Sequence, residues 1–292
     1  MTTRTVIDLI EASAARLTKA GVAFGHGTAT AFDESAWLVL WQLKLPLDAI
    51  DEVAGKTVSP TDAARVEALL AERIATRKPA AYLTREAWLQ GVPFYVDERA
   101  IVPRSFIAEL LVDGSVDYWL GEHTRHVLDL CTGNGSLAVL AAMTYPDIAV
   151  DAADLSTTAL EVAAINVTRH ELDARITLLV SDGLDNVRGP YDLILCNPPY
   201  VNAQSMSALP AEYLAEPDLA LAGGDDGMDF IRGLVRDAPA ALNERGVLVL
   251  EIGNERDHFE AAFPQLEVVW LETSAGEDQV LLITREALAV PR

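Results

Sequence analysis

Asn197-Pro198-Pro199-Tyr200 follows directly on the apolar run Leu193 to Cys196. That run reads as a buried parallel strand, and the paired prolines stop it abruptly. Neither proline donates a backbone hydrogen bond, so their carbonyls and the Asn197 side chain are left free at the strand's carboxyl end. In open α/β sheets ligands bind along that edge. The Asn197 oxygen and a proline carbonyl offer acceptors to a planar NH2 group, and Tyr200 offers a flat ring beside it. The bland alternative is a strand-terminating turn with a packed tyrosine.

Further candidates fall at other strand ends. Asp129-Leu130-Cys131-Thr132-Gly133-Asn134-Gly135 follows the first predicted strand and opens a helix at Ser136. Glycine there lets a backbone approach a ligand closely. Asp154 ends the second strand, where a carboxylate can accept both ribose hydroxyls. Ser181-Asp182-Gly183 ends the third, where a carboxylate can accept from an adenine amino group. Any one of these is compatible with an ordinary turn. Ligand-compatible groups on four consecutive strand ends are far harder to explain as accident.

The elements that must position these residues are legible as periodicity. From His126 onward, short apolar strands alternate with helices: Val127–Leu130, Ala149–Ala153, Ile176–Val180, Leu193–Cys196, Val247–Ile252, Val268–Leu271 and Val280–Thr284. Seven strands with intervening helices predict an α/β fold with a doubly wound sheet. The preceding part reads as helices over Val6–Ala20 and Asp33–Leu45, with a third opening at Ser59-Pro60 and running to Lys78. Trp88 to Val102 suggests a hairpin, and Pro103-Arg104-Ser105 caps a further helix reaching about Leu120. The expected organisation is a helical domain over 1–85, a hairpin linker over 86–104 and a sheet domain over 105–292.

Charge narrows the partners. Among 292 residues, 44 acidic against 22 basic side chains give a formal charge of −22. Such a surface repels phosphate backbones and attracts basic proteins, which counts against direct nucleic-acid binding. Half the residues are apolar, yet no run approaches a membrane span, and residues 1–20 lack a secretory core. The cysteines, Cys131 and Cys196, and the scattered histidines show no metal-ligand spacing. A cytoplasmic, metal-free protein is expected, with its oligomeric state open.

Several chemistries share parts of this pattern. A dinucleotide dehydrogenase would use the glycine turn and Asp154, but Ala138 stands where its third glycine belongs, and it has no need of the tetrapeptide. Asn/Asp-Pro-Pro-Tyr is the signature of methyltransferases that alkylate an amide or exocyclic amino nitrogen with S-adenosylmethionine. A DNA amino-methyltransferase of that kind needs a basic groove, and none is visible here. A non-catalytic cofactor-binding factor would keep Asp129 and Asp154 but could dispense with Tyr200.

Residues 129–135, 154, 182 and 197–200 resemble those of class I methyltransferases of the protein-(glutamine-N(5)) group, relatives of the HemK proteins. The similarity spans the chain. Phe24-Gly25-His26-Gly27, Pro79-Ala80-Ala81-Tyr82-Leu83-Thr84, Phe94 to Arg99, Val102-Pro103-Arg104-Ser105 and Ala222-Gly223-Gly224-Asp225-Asp226-Gly227 resemble the branch acting on large-subunit ribosomal protein L-three. The sibling branch, which modifies peptide-chain release factors, usually carries Pro-Arg-Pro-Asp-Thr-Glu in place of Pro103 to Ala108, and is the alternative.

The resemblance implies a seven-stranded, Rossmann-like class I sheet and S-adenosylmethionine as cofactor, with S-adenosylhomocysteine as product. It implies cofactor contacts from Asp129, Cys131, Thr132, Gly133, Asn134, Gly135, Asp154, Asp182, Gly183 and Asn197. Asn197, Pro198, Pro199 and Tyr200 would hold the substrate, with Asn197, Pro198 and Tyr200 carrying the catalysis. Cys131 stands where many methyltransferases have glycine. The substrate would be a basic protein, recognised by the helical part.

Overall fold

In unit one, each long helix starts where a side chain satisfies its free backbone N–H groups. Thr5 caps α1 (Val6–Lys19) and Thr30 caps α2 (Ala31–Leu43). After a short α3 (Ile50–Val53), Ser59 caps α4 (Pro60–Thr76), with Pro60 in its first turn as predicted. A short α5 (Ala80–Thr84) follows. Several predicted ends shift. Thr30, not the region of Asp33, accepts the capping hydrogen bond, so α2 begins earlier. The helices stop at Leu43 and Thr76 because Lys44 (φ 56°) and Arg77 (φ 60°) turn left-handed. The computed structural model describes residues 4–290, so the first three residues of the predicted segments 1–20 and 1–85, and the last two of 105–292, lie outside the described residues. This unit comprises the chain up to Ala87 together with Leu209–Glu216, a segment far along the sequence.

Unit two carries the sheet. A small hairpin, β1 (Ala87–Leu89), which starts at the last residue of unit one, and β2 (Val92–Phe94), is shorter than predicted. Its extension ends at Tyr95, whose N–H donates to Asn166 Oδ1 (2.7 Å) and whose carbonyl accepts from Asn166 Nδ2 (2.9 Å). The predicted helix to Leu120 is likewise only α6 (Ile107–Val112) and a 3-10 turn at Asp117–Trp119, broken by Gly114 at φ 77°.

The main strands are β3 (His126–Leu130), β4 (Ala149–Asp154), β5 (Ile176–Val180), β6 (Tyr191–Cys196), β7 (Leu242–Glu251), β8 (Val269–Thr273) and β9 (Gly276–Thr284). Their order is β5-β4-β3-β6-β7-β9-β8, with β9 antiparallel to both its neighbours and the rest parallel. Helices α7 (Ser136–Thr144), α8 (Thr157–Arg169), α9 (Ala203–Ala208), α10 (Asp229–Ala241), α11 (Arg256–Ala262) and α12 (Arg285–Leu288) connect or follow them. Alternate strand residues feed opposite cores. Val127, Leu193, Leu195, Val247 and Val249 pack on one face, and Leu128, Leu130, Ile194, Leu248 and Leu250 on the other. Burial on both faces is why these strands read as continuous apolar runs. The chain winds outward through β4 and β5, then returns to build β6 and β7 on the other side of β3. The crevice beyond the ends of β3 and β6 is therefore the topological switch point. Among the described residues no helix is long and apolar enough to cross a membrane.

Candidate active site

Asp129 organises the loop leaving β3. Its buried Oδ2 accepts from the Thr132 hydroxyl (2.5 Å) and from the Ala138 N–H (2.9 Å), folding the glycine turn back onto the strand. Burial pushes its carboxyl up to about 7. The other oxygen, Oδ1, is buried with no hydrogen-bond partner, as is Asn134 Nδ2. Cys131, in the glycine position of the resembling family, adopts φ 61°, the left-handed region that costs a side chain about 1–2 kcal/mol. Gly135 turns at φ 80°, where a side chain is strained, and a Cβ there would press to 3.1 Å from Ala163 Cβ, so glycine suits a turn this close to α8. From α8, Asn166 also donates to the Asn134 carbonyl (2.8 Å), fixing the turn from outside.

Asp154 ends β4 beside this loop. Gly133 N–H donates to its Oδ2 and Ser156 N–H to its Oδ1, each at 2.8 Å. Burial nevertheless raises its carboxyl pKa above the usual range. The Leu155 N–H bears on the same carboxylate, which keeps a lone pair for a ligand. Leu130 pairs with Cys196 across β3 and β6, which sets the glycine loop and Asn197 side by side.

A cleft of about 1020 Å³, open solvent included, occupies the switch point. Cys131, Thr132, Gly133, Asn134, Asp154, Asp182, Gly183, Asn197 and Pro199 line it. Asp129, Gly135, Pro198 and Tyr200 do not: Asp129 and Gly135 lie buried behind the loop, Pro198 is buried, and Tyr200 stands to one side. Among the described residues no group of acidic, histidine or cysteine side chains comes together as a metal site.

Tyr200 is tightly housed. A Cβ on Gly253 would come within 2.5 Å of its ring, and one on Gly227 within 2.2 Å of its carbonyl oxygen. The glycine-rich segment Ala222–Gly227 thus packs closely on Tyr200, and Val201 pairs with Ala222 in an isolated bridge. The Tyr200 hydroxyl donates to Glu251.

Arg104, Ser105 and Phe230 also line the cleft, with Phe230 near Gly183; the sequence marked Arg104 and Ser105 as a helix cap and a family motif, not as site residues. Phe230 opens a helix with no strand-end signal to mark it. Glu251 did carry a signal, a lone carboxylate inside the apolar run Val247–Ile252.

Residues 109–218 match the Methyltransferase small domain family. The Ribosomal protein uL3 glutamine methyltransferase of Bordetella pertussis (strain Tohama I) is 52% identical over 288 residues, covering 98% of this chain and 96% of that protein. The protein of the same name from Burkholderia pseudomallei is 51% identical over 290 residues, covering 96% and 94%. Among solved structures, the hMettl16 catalytic domain in complex with MAT2A 3'UTR hairpin 6 aligns with a TM-score of 0.52 at 14% identity, covering 78% of this chain and 83% of that one. That likeness shows the fold, a class I methyltransferase sheet. Identity near one residue in two along almost the whole chain shows more, and the chain belongs to the family of the ribosomal protein uL3 glutamine methyltransferases.

Proposed function

We propose that this chain transfers a methyl group from S-adenosylmethionine to the side-chain amide nitrogen of a glutamine in ribosomal protein uL3, leaving S-adenosylhomocysteine. The observation that carries the reading is Asn197-Pro198-Pro199-Tyr200 at the end of β6, in register with the glycine loop of β3, in a chain of this family.

The residues fit S-adenosylmethionine. Asn134 lines the cleft, and its Nδ2 is a buried donor without a partner, suited to a carboxylate, while Asp129 supports the loop from behind. Gly133 has nothing within 4 Å where a side chain would stand, leaving room for a ligand against the turn. The Asp154 carboxylate, lining the cleft, suits a ribose hydroxyl, and Asp182, Gly183 and Phe230 would form the far wall for an adenine. Bound there, S-adenosylmethionine supplies an electrophilic methyl group.

The protein's part is orientation. An amide nitrogen is a poor nucleophile because its lone pair is delocalised into the carbonyl. Asn197 Oδ1 and the Pro198 carbonyl would each accept one N–H of the glutamine amide, holding the nitrogen's face toward the methyl group. Tyr200 would fix the rotation of the glutamine side chain. Near-attack geometry of this kind is worth on the order of 7–11 kcal/mol. Both acceptors are weak bases, so the spare proton departs after transfer. The helical unit is proposed to recognise the protein substrate, and the net charge of −22 suits a basic one.

The test is incubation with labelled S-adenosylmethionine and an extract from cells lacking this protein, followed by mass spectrometry of the labelled band. Label in uL3 supports the reading; label in nucleic acid and none in protein overturns it.

A further inference from the structure

Glu251 ends β7 one residue past the Cys196–Leu250 pair, so it stands beside Asn197 at the carboxyl ends of two adjacent strands. It is 2% exposed, and a carboxylate this deep needs partners for its lone pairs. Its Oε2 accepts from the Ser105 hydroxyl (2.6 Å) and the Phe106 N–H (2.9 Å), and Ser105 Oγ in turn accepts from the Ile107 N–H (3.2 Å). Its Oε1 accepts from the Tyr200 hydroxyl (3.3 Å). One buried group thus joins the last residue of the acceptor tetrapeptide to Ser105, a wall of the cleft. None of the binding or transfer steps above uses it. The ring of Tyr200 rests on Gly253, and the carboxylate accepts from its hydroxyl.

We propose that Glu251 is a positioning residue for methyl transfer, tying Tyr200 to the cleft wall at Ser105 so that acceptor and cofactor surfaces keep one relative placement. The proposal rests on the glutamine-methylation reading above. It differs from a purely structural role in what it moves: turnover, through Tyr200, with cofactor binding spared.

The test uses the full chain, uL3 as substrate, and Glu251→Gln, which keeps the shape and an acceptor for Ser105 and Phe106. The expected result is a fall in kcat of about tenfold, with the calorimetric Kd for S-adenosylmethionine changed by less than about twofold. Tyr200→Phe should lose kcat to a similar degree, and the double variant should fall no further than the worse single one. An unchanged kcat in Glu251→Gln, full kcat in Tyr200→Phe, or losses that multiply in the double variant would each overturn the proposal. A second reading is independent of activity. In protein labelled at tyrosine Cζ, the Tyr200 resonance, identified by its loss in Tyr200→Phe, should shift in Glu251→Gln; an unmoved resonance overturns the tie. A wild-type chain that leaves uL3 glutamine unmethylated sinks the functional reading, while the resonance still decides whether Glu251 holds Tyr200.

Discussion

Asp154 and Asn197 line the same cleft but would meet the reaction at different stages. On the proposed function the carboxylate of Asp154 would face a ribose in ground and transition states alike, whereas Asn197 would orient the nucleophile. Asp154→Ala should therefore weaken S-adenosylmethionine binding by about 1.5–3 kcal/mol, roughly tenfold to a hundredfold in calorimetric Kd. Asn197→Ala should instead lower kcat mainly. Unchanged cofactor affinity in Asp154→Ala would refute its assignment. Asp129 makes a prediction about pH. Its ordinary value is 3.8 and burial lifts it to about 7 in the folded chain, so the folded state holds the proton more tightly. Its favourable contribution is complete below the unfolded value and is lost as pH rises through about 7. Asp129→Asn, whose amide oxygen can still accept from Thr132 and Ala138, should flatten the decline of Tm across that window. An identical slope in both proteins would show that Asp129 is not the titrating group.

At the level of elements, the helical unit is knitted by a buried ion cluster. Arg73, fully buried, donates through Nε to Glu34 (2.8 Å) and through a terminal nitrogen to the Ala23 carbonyl (3.1 Å), and pairs with Glu212 at 3.4 Å. Arg77 reaches Glu212 as well (3.1 Å). Arg73→Met would strand Glu34 without its main cation, so unfolding by urea should show a loss of about 3–5 kcal/mol. A loss below about 1 kcal/mol would mean the cluster is neutral to stability. The same cluster marks the limit of sequence reading. Ser59-Pro60, the apolar strands and the strand-end loops were legible because caps, periodicity and proline act within a few residues of themselves. The grouping of Leu209–Glu216 with the first helices was not, because the Arg73–Glu212 pair spans 139 residues. Asn166 was hidden for the same reason, since its partner Tyr95 lies 71 residues away; Glu251 stood out in its apolar run, but its partner Ser105, 146 residues away, did not. The left-handed ends at Lys44 and Arg77 escaped because neither residue type advertises that conformation.

Across the whole molecule, the excess of acidic side chains is a long-range property that no single residue carries. With a basic protein substrate it should speed the encounter, and ions should screen it. We expect kcat/KM for intact uL3 to fall as salt rises, while the calorimetric Kd for S-adenosylmethionine moves little. A flat kcat/KM from low to high salt would show that charge does not guide the encounter. The central claim, that the cleft and the Asn197-Pro198-Pro199-Tyr200 tetrapeptide together methylate a glutamine amide, is tested most directly by fragment-mass mapping of purified uL3 after incubation with this protein and S-adenosylmethionine. The account predicts one methyl group on the side-chain nitrogen of a glutamine, and its near disappearance with Asn197→Ala. A methyl group on lysine, arginine or the backbone, or undiminished transfer by Asn197→Ala, would contradict it.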